Sequence, residues 1–187
     1  NTRIRKDIQP HAFQLLDQEL LLDPLCAFYW SNRKTLVISD LHMGKSAHFR
    51  KNGTPLPGII GDNNLWNLST LTDKYRPERV LLLGDLFHSE HNHEWEQFND
   101  MILNYAHCEW LLVKGNHDVL DEEMYDMSSL KVVNTLQDGP FFFAHEPEDL
   151  DPNKGYGFAG HIHPCVRLSG KANQSMRLKC FWFRREY

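Results

Sequence analysis

The sequence predicts an α/β layered domain in which a parallel set of strands comes first and a meander follows. Three observations predict it. Thr35 to Ser39, Val80 to Leu83 and Glu109 to Val113 are short apolar runs of the kind buried on both faces of a central sheet. Longer segments of helical period separate them. An Asp, Asn or His stands just beyond four of the strand-like runs, at the carboxyl ends where open α/β sheets form ligand sites.

Taken in order, Ala27 to Trp30, Ser31 to Lys34 and Thr35 to Ser39 read as strand, turn and strand. Residues 51 to 61 are rich in Gly and Pro and read as a loop, either a substrate-side loop or a plain connector. Asp62 to Tyr75 reads as a helix capped by Asp62 or Asn63, with Leu65, Leu68 and Leu71 at helical spacing and Pro77 ending it. Glu94 to His107 is the second helix, with Trp95, Phe98, Ile102 and Tyr105 on one face. Leu120 to Tyr125 is a short helix. Lys131 to Val133, Phe141 to Ala144, Gly157 to Ala159, Val166 to Leu168 and Arg177 to Phe183 are further strands.

The 187 residues fit a single domain with a sizeable core. No apolar run approaches the ~20 residues that span a bilayer, and no secretory h-region is present, so a cytoplasmic protein is expected. Cys26, Cys108, Cys165 and Cys180 form no CxxC pair and are expected as buried thiols in a reducing compartment. The net charge of −5 argues against bulk electrostatic attachment to nucleic acid. Lys45, Arg50 and Lys51 form one local basic group, and Arg177, Lys179, Arg184 and Arg185 another; each is either a ligand surface or a solvated face. The aromatic end, Cys180 to Phe183, reads as strand rather than tail, so the native chain is expected to continue past it.

Five runs carry the chemistry: Asp40-Leu41-His42, Gly84-Asp85, Gly115-Asn116-His117-Asp118, His145 and Gly160-His161-Ile162-His163. Carboxylate and amide oxygens mixed with imidazole suit Mn, Fe or Zn better than Ca or Mg. Paired metals need a ligand that spans both, and Asp85, alone at a central strand end, is the natural bridge. Asp40 and His42 share a face at i and i+2 and can grip one ion. His161 and His163 have the same spacing and can share an ion or divide between two. Asn116 adds a neutral oxygen. His117 adjoins Asn116 on a turn and is better placed to meet a phosphate or protonate a leaving oxygen, with Asp118 orienting its ring. His88, His91 and His93 read as a solvated loop and helix start rather than a third site, and His48 with Arg50 as either a phosphate contact or surface.

These runs, in this order, resemble the calcineurin-like metallophosphoesterase superfamily over positions 40 to 163. The resemblance implies a four-layer α/β/β/α sandwich with a dinuclear centre. It implies that Asp40, His42, Asp85 and His163 hold one metal and Asp85, Asn116, His145 and His161 the other, with His117 catalytic and Asp118 its partner. Ser39 to Lys45, Ala47 to Lys51, Gly84 to Ser89 and Gly160 to Pro164 are further similar to the ligase-associated bacterial metallophosphoesterases. Those are DNA-repair endonucleases encoded beside a DNA ligase and a helicase, which would then be partners.

The expected reaction is hydrolysis of a phosphodiester or phosphomonoester by a water activated between two divalent ions, manganese first. DNA is the first substrate expected. A small nucleotide diester or a UDP-sugar diphosphate comes second, although the sequence shows no acyl groove for a lipid precursor. A non-catalytic scaffold is the rival outside enzymology; it is disfavoured because every ligand position and His117 are occupied.

Overall fold

A computed structural model describes residues 9–43, 59–87, 93–118, 122–126, 128–171 and 174–184, with the backbone alone described at 59–63, 93–94, 122 and 126. Seven strands form one sheet in chain order: β1 (His11–Leu15), β2 (Gln18–Asp23), β3 (Ala27–Trp30), β4 (Thr35–Ser39), β5 (Arg79–Leu83), β6 (Glu109–Val113) and β7 (Leu130–Val133). β1 to β4 pair antiparallel, and β4 to β7 pair parallel. A smaller sheet has the order β10 (Tyr156–Ala159), β9 (Phe141–Ala144), β8 (Thr135–Asp138), with β9 and β10 parallel. β11 (Cys165–Ser169) and β12 (Ser175–Lys179) form a separate hairpin.

The continuous apolar runs follow from burial on both faces. Successive side chains of a strand point to opposite faces. Leu36, Ile38, Val80, Leu82, Trp110 and Leu112 enter one core, against α1 (Ile59–Tyr75), α2 (His93–Asn104) and α3 (Glu122–Asp126). Leu68 and Leu71 of α1, and Trp95, Phe98, Met101 and Ile102 of α2, fill that core. Val37, Leu81, Leu83, Leu111 and Val113 enter the other, against Phe141, Phe143 and Phe158 of the small sheet. The mixed α/β architecture with a large sheet is as the sequence predicts, but the expected order is corrected: the antiparallel meander β1 to β4 precedes the parallel strands β4 to β7, and the later sheet pairs β9 with β10 in parallel.

Several boundaries differ from expectation. α1 is described from Ile59, so Asp62 and Asn63 lie inside it rather than capping it, and 59–61 of the expected loop are helical; 51–58 lie outside the described residues. The β1–β2 hairpin was not expected. Its turn, Leu16-Asp17, holds both residues at positive φ (49° and 59°), the geometry of a two-residue type I′ turn. That turn favours Asn-Gly, and Leu-Asp gives no such signal. β8 is likewise new. β12 stops at Lys179, and Cys180 to Phe183 are not strand. Of the four thiols only Cys108 is buried; Cys26 and Cys180 are half-buried and Cys165 is exposed. Among the described residues, no helix is long and apolar enough to cross a membrane.

Candidate metal centre

Five strand ends converge on one edge of the two sheets. Asp40 follows β4, Asp85 follows β5, Asn116 lies beyond β6, His145 follows β9 and His161 lies just beyond β10. The segment after β4 is held to the segment after β5 by Asp40 N–H to Gly84 O (3.1 Å), His42 N–H to Asp85 O (2.8 Å) and Met43 N–H to Leu86 O (2.9 Å). Gly160 N–H donates to His145 O at 3.1 Å and joins the small sheet to the cluster.

Two groups result: Asp40 with His42 and His163, and Asp85 with His145 and His161. Within each group the ligand atoms lie within 4.8 Å of one another. His42 Nε2 and His163 Nε2 are 3.2 Å apart. Asp85, 2 % exposed, stands between the groups: Oδ1 is 3.3 Å from His145 Nε2 and Oδ2 is 3.9 Å from His42 Nε2. Asn116 Oδ1 lies 3.2 Å from His145 Nε2. All seven ligand-type residues expected from the sequence are therefore brought together.

The donor set fits divalent metal ions. His145 Nδ1 lies 3.2 Å from the carbonyl oxygen of Leu83, to which only a protonated nitrogen can donate. Its Nε2 faces Asp85 and Asn116. This backbone contact is the outer support that fixes a ligating imidazole. The two buried carboxylates are also anchored from behind. Asp40 Oδ1 accepts from His161 N–H at 3.0 Å, and Asp85 Oδ1 accepts from His117 N–H at 3.0 Å.

Backbone conformation is unusual here. Asp40 (φ 54°), His42 (46°), Asp85 (49°), His161 (65°) and His163 (50°) all occupy the left-handed region. A non-Gly residue there costs energy, and such residues persist where surrounding structure fixes them, commonly at functional sites.

Three glycines make room for the cluster. A Cβ on Gly84 would stand 2.0 Å from His145 Nδ1. One on Gly115 would meet Asp85 N at 2.4 Å and Oδ1 at 2.5 Å. One on Gly160 would meet Leu83 O at 2.8 Å and Asp40 Oδ2 at 3.0 Å. The signal was present: each glycine immediately precedes a ligand-type residue.

His117 lies exposed beside the cluster, its ring centroid 6.0 Å from that of His42. The expectation that Asp118 orients this ring is corrected. Asp118 is 1 % exposed, and its carboxylate accepts backbone N–H groups instead: Leu86 at 2.8 Å and Phe87 at 3.2 Å on Oδ1, Gly115 at 2.8 Å on Oδ2. It clamps the loop after β5 to the loop after β6. Burial pushes its carboxyl above the usual range, against the pull of those three donors. His48, Arg50, Lys45, Lys51, His88 and His91 fall outside the described residues, and of His93 only the backbone is described.

The calcineurin-like phosphoesterase family profile matches residues 33–178. The chain belongs to that family. It is accordingly a hydrolase of phosphate ester bonds, and the family's use of divalent metals agrees with the two groups around Asp85. A solved structure, that of Pseudomonas putida nuclease MPE, superposes with a TM-score of 0.72 at 24 % identity, over 90 % of this chain and 80 % of that one. No curated protein sequence matches the chain.

The phosphoesterase also has a cleft the sequence did not suggest. A cavity of about 1060 Å³ adjoins Asp40 and His163, and its walls include Phe13, Leu22, Phe28, Phe158 and Phe181.

Proposed function

We propose that this phosphoesterase hydrolyses phosphodiester bonds at a dinuclear centre and that its substrate is a DNA strand. One observation carries the dinuclear reading: the two oxygens of Asp85 face different groups, Oδ1 toward His145 and Oδ2 toward His42. A carboxylate placed in this way can bridge two cations. In this reading Asp40, His42, Asp85 and His163 hold one ion, and Asp85, Asn116, His145 and His161 the other. Manganese is the proposed ion, with Fe or Zn as competitors for a mixed N/O set. When bound, the ions supply Lewis-acid polarisation of the phosphate and lower the pKa of coordinated water toward neutrality.

The residues of the chain do the rest. Asp85 and Asp40 hold the cations close and offset their charge. The contact of His145 with Leu83 engages Nδ1 and turns Nε2 toward Asp85 and Asn116. His117, exposed at the mouth, reaches the phosphate and gives a proton to the leaving oxygen. Asp118 keeps the His117 turn in place without touching the proton.

The nuclease reading draws support from the likeness to the Pseudomonas putida nuclease and from the motif resemblance to ligase-associated endonucleases. A DNA-repair role, a cytoplasmic location, and association with a ligase or helicase belong to the same proposal. A second reading rests on the apolar cleft beside Asp40 and His163, which suits a small diphosphate with an apolar group.

The test is hydrolysis of bis-p-nitrophenyl phosphate and of single-stranded DNA, with Mn²⁺ and with chelator. Metal-dependent turnover of both is expected. Turnover of the small diester without DNA cleavage would select the second reading. No turnover of either would refute the proposal.

A further inference from the structure

Charge is segregated along this chain. The protein carries a net −5, yet residues 152–184 contain six cations and no Asp or Glu. Four of the six, Arg167, Lys171, Arg177 and Lys179, lie on the β11–β12 hairpin and its turn, and none of these four makes an ion pair among the described residues.

The pairing register places them on one face. Arg167 stands directly opposite Arg177, and Lys179 opposite Cys165. Residues at i and i+2 of a strand share a face, so Arg177 and Lys179 follow one another along it. Val166, Leu168, Met176 and Leu178 occupy the other face. Like charges directly opposite each other weaken a strand pair. A two-stranded hairpin, exposed at every one of its strand positions, has little burial to offset that cost. A polyanion lying across the cationic face would turn the repulsion into binding energy.

The hairpin is continuous with the metal centre. β11 starts two residues after His163, and Cys180 N–H donates to Pro164 O at 3.1 Å, which closes the hairpin's base. Lys179, Trp182 and Arg184 also line the cleft that reaches Asp40 and His163. Trp182 is 61 % exposed. Cations that track a backbone, with an aromatic ring open to a base, are how sequence-tolerant proteins hold single strands.

We infer that the cationic face of the β11–β12 hairpin, through Arg167, Arg177 and Lys179, is a track that guides the backbone of a single-stranded nucleic acid into the metal centre, with Trp182 stacking on a base. This deepens the proposed nuclease reading and rests on it. It also answers the objection raised by net charge: the cations are concentrated on the hairpin, where no acid interrupts them, and Glu148 and Asp151 share only the cleft beside it.

The test is binding of a fluorescent single-stranded oligonucleotide to the full chain by anisotropy, at several salt concentrations. Mn²⁺ is withheld so that the strand stays intact. R177E is the decisive variant, because Glu opposite Arg167 forms a favourable cross-strand pair and leaves the hairpin at least as stable. It removes one phosphate contact and occupies a second. Affinity should fall by about tenfold or more, and the slope of log K against log salt should flatten by about 1.4, at about 0.7 per single-strand phosphate contact. R177K keeps the charge and should keep the wild-type slope. Wild-type affinity and slope in R177E would overturn the inference. So would equal losses in R177E and R177K, which would assign Arg177 a structural role. This readout does not depend on turnover, so loss of the hairpin track and loss of the phosphodiesterase reading are separable.

Discussion

The strand-end cluster and the β11–β12 hairpin are joined at His163, yet they are built by opposite rules. In the cluster, the buried groups are fixed from several directions. Asp85 is buried, faces two imidazoles and accepts a backbone N–H, and glycines clear the space around it. In the hairpin, all strand residues are exposed and two arginines face each other. Chemistry needs atoms held to within fractions of an ångström, which over-determination provides. Sequence-tolerant holding of a strand needs charge and reach and tolerates looseness. The comparison predicts that substitutions in the cluster are costly for activity and that substitutions on the hairpin leave the fold intact.

The largest effect belongs to Asp85→Asn and His117→Ala. Losing the charge proposed to bridge the ions, or the proposed proton donor, should remove several kcal/mol of transition-state stabilisation, about a thousandfold in kcat for bis-p-nitrophenyl phosphate. The far-ultraviolet circular dichroism of both should match wild type. Retention of wild-type turnover in either would break the assignment.

Next comes a paired glycine test. Gly84→Ala drives a methyl into His145 and should weaken metal affinity about 10- to 100-fold, the usual cost of disturbing a ligand's support. Gly139→Ala shares the left-handed conformation (φ +56°), but its nearest neighbour is 3.5 Å away. It should cost only about 1–2 kcal/mol of stability and leave metal affinity unchanged. Equal effects on metal affinity would mean that backbone strain, not the His145 contact, dominates at Gly84.

These contrasts show what was legible in the sequence. The seven ligand-type residues were visible because each motif sits at a strand end, and polarity there interrupts apolar runs that burial on two faces requires. Gly115 and Gly160 were visible as letters but not as space, since close approach exists only once strands from distant positions meet. Asp118 was misread for a similar reason. Adjacency to His117 suggested a ring partner, whereas the chain turn aims its carboxylate at Gly115, Leu86 and Phe87. The β1–β2 hairpin was hidden by a Leu-Asp turn, and the expected strand through Phe183 was an aromatic pattern that instead lines the cleft.

Smaller effects sharpen the comparison. Asp118→Asn leaves one oxygen for Leu86 and Phe87 but turns an NH₂ toward the Gly115 amide. The unpaired donor should cost about 1–3 kcal/mol in urea unfolding, with a smaller loss of turnover than His117→Ala. If Asp118→Asn instead matched His117→Ala in kcat at unchanged stability, the ring-orienting role would be restored. Leu168→Ser with Met176→Ser, on the exposed apolar face of the hairpin, should change stability by less than about 0.5 kcal/mol each. A larger loss would show that this face is packed against something.

The most direct test of the dinuclear centre is metal stoichiometry. The protein is loaded with Mn²⁺, passed through a desalting column and assayed by inductively coupled plasma mass spectrometry, with Asp85→Asn beside it. The account predicts two ions per wild-type chain and a loss at both sites in Asp85→Asn, because the two oxygens of Asp85 face both groups. One ion per wild-type chain, or two ions retained in the variant, would contradict it.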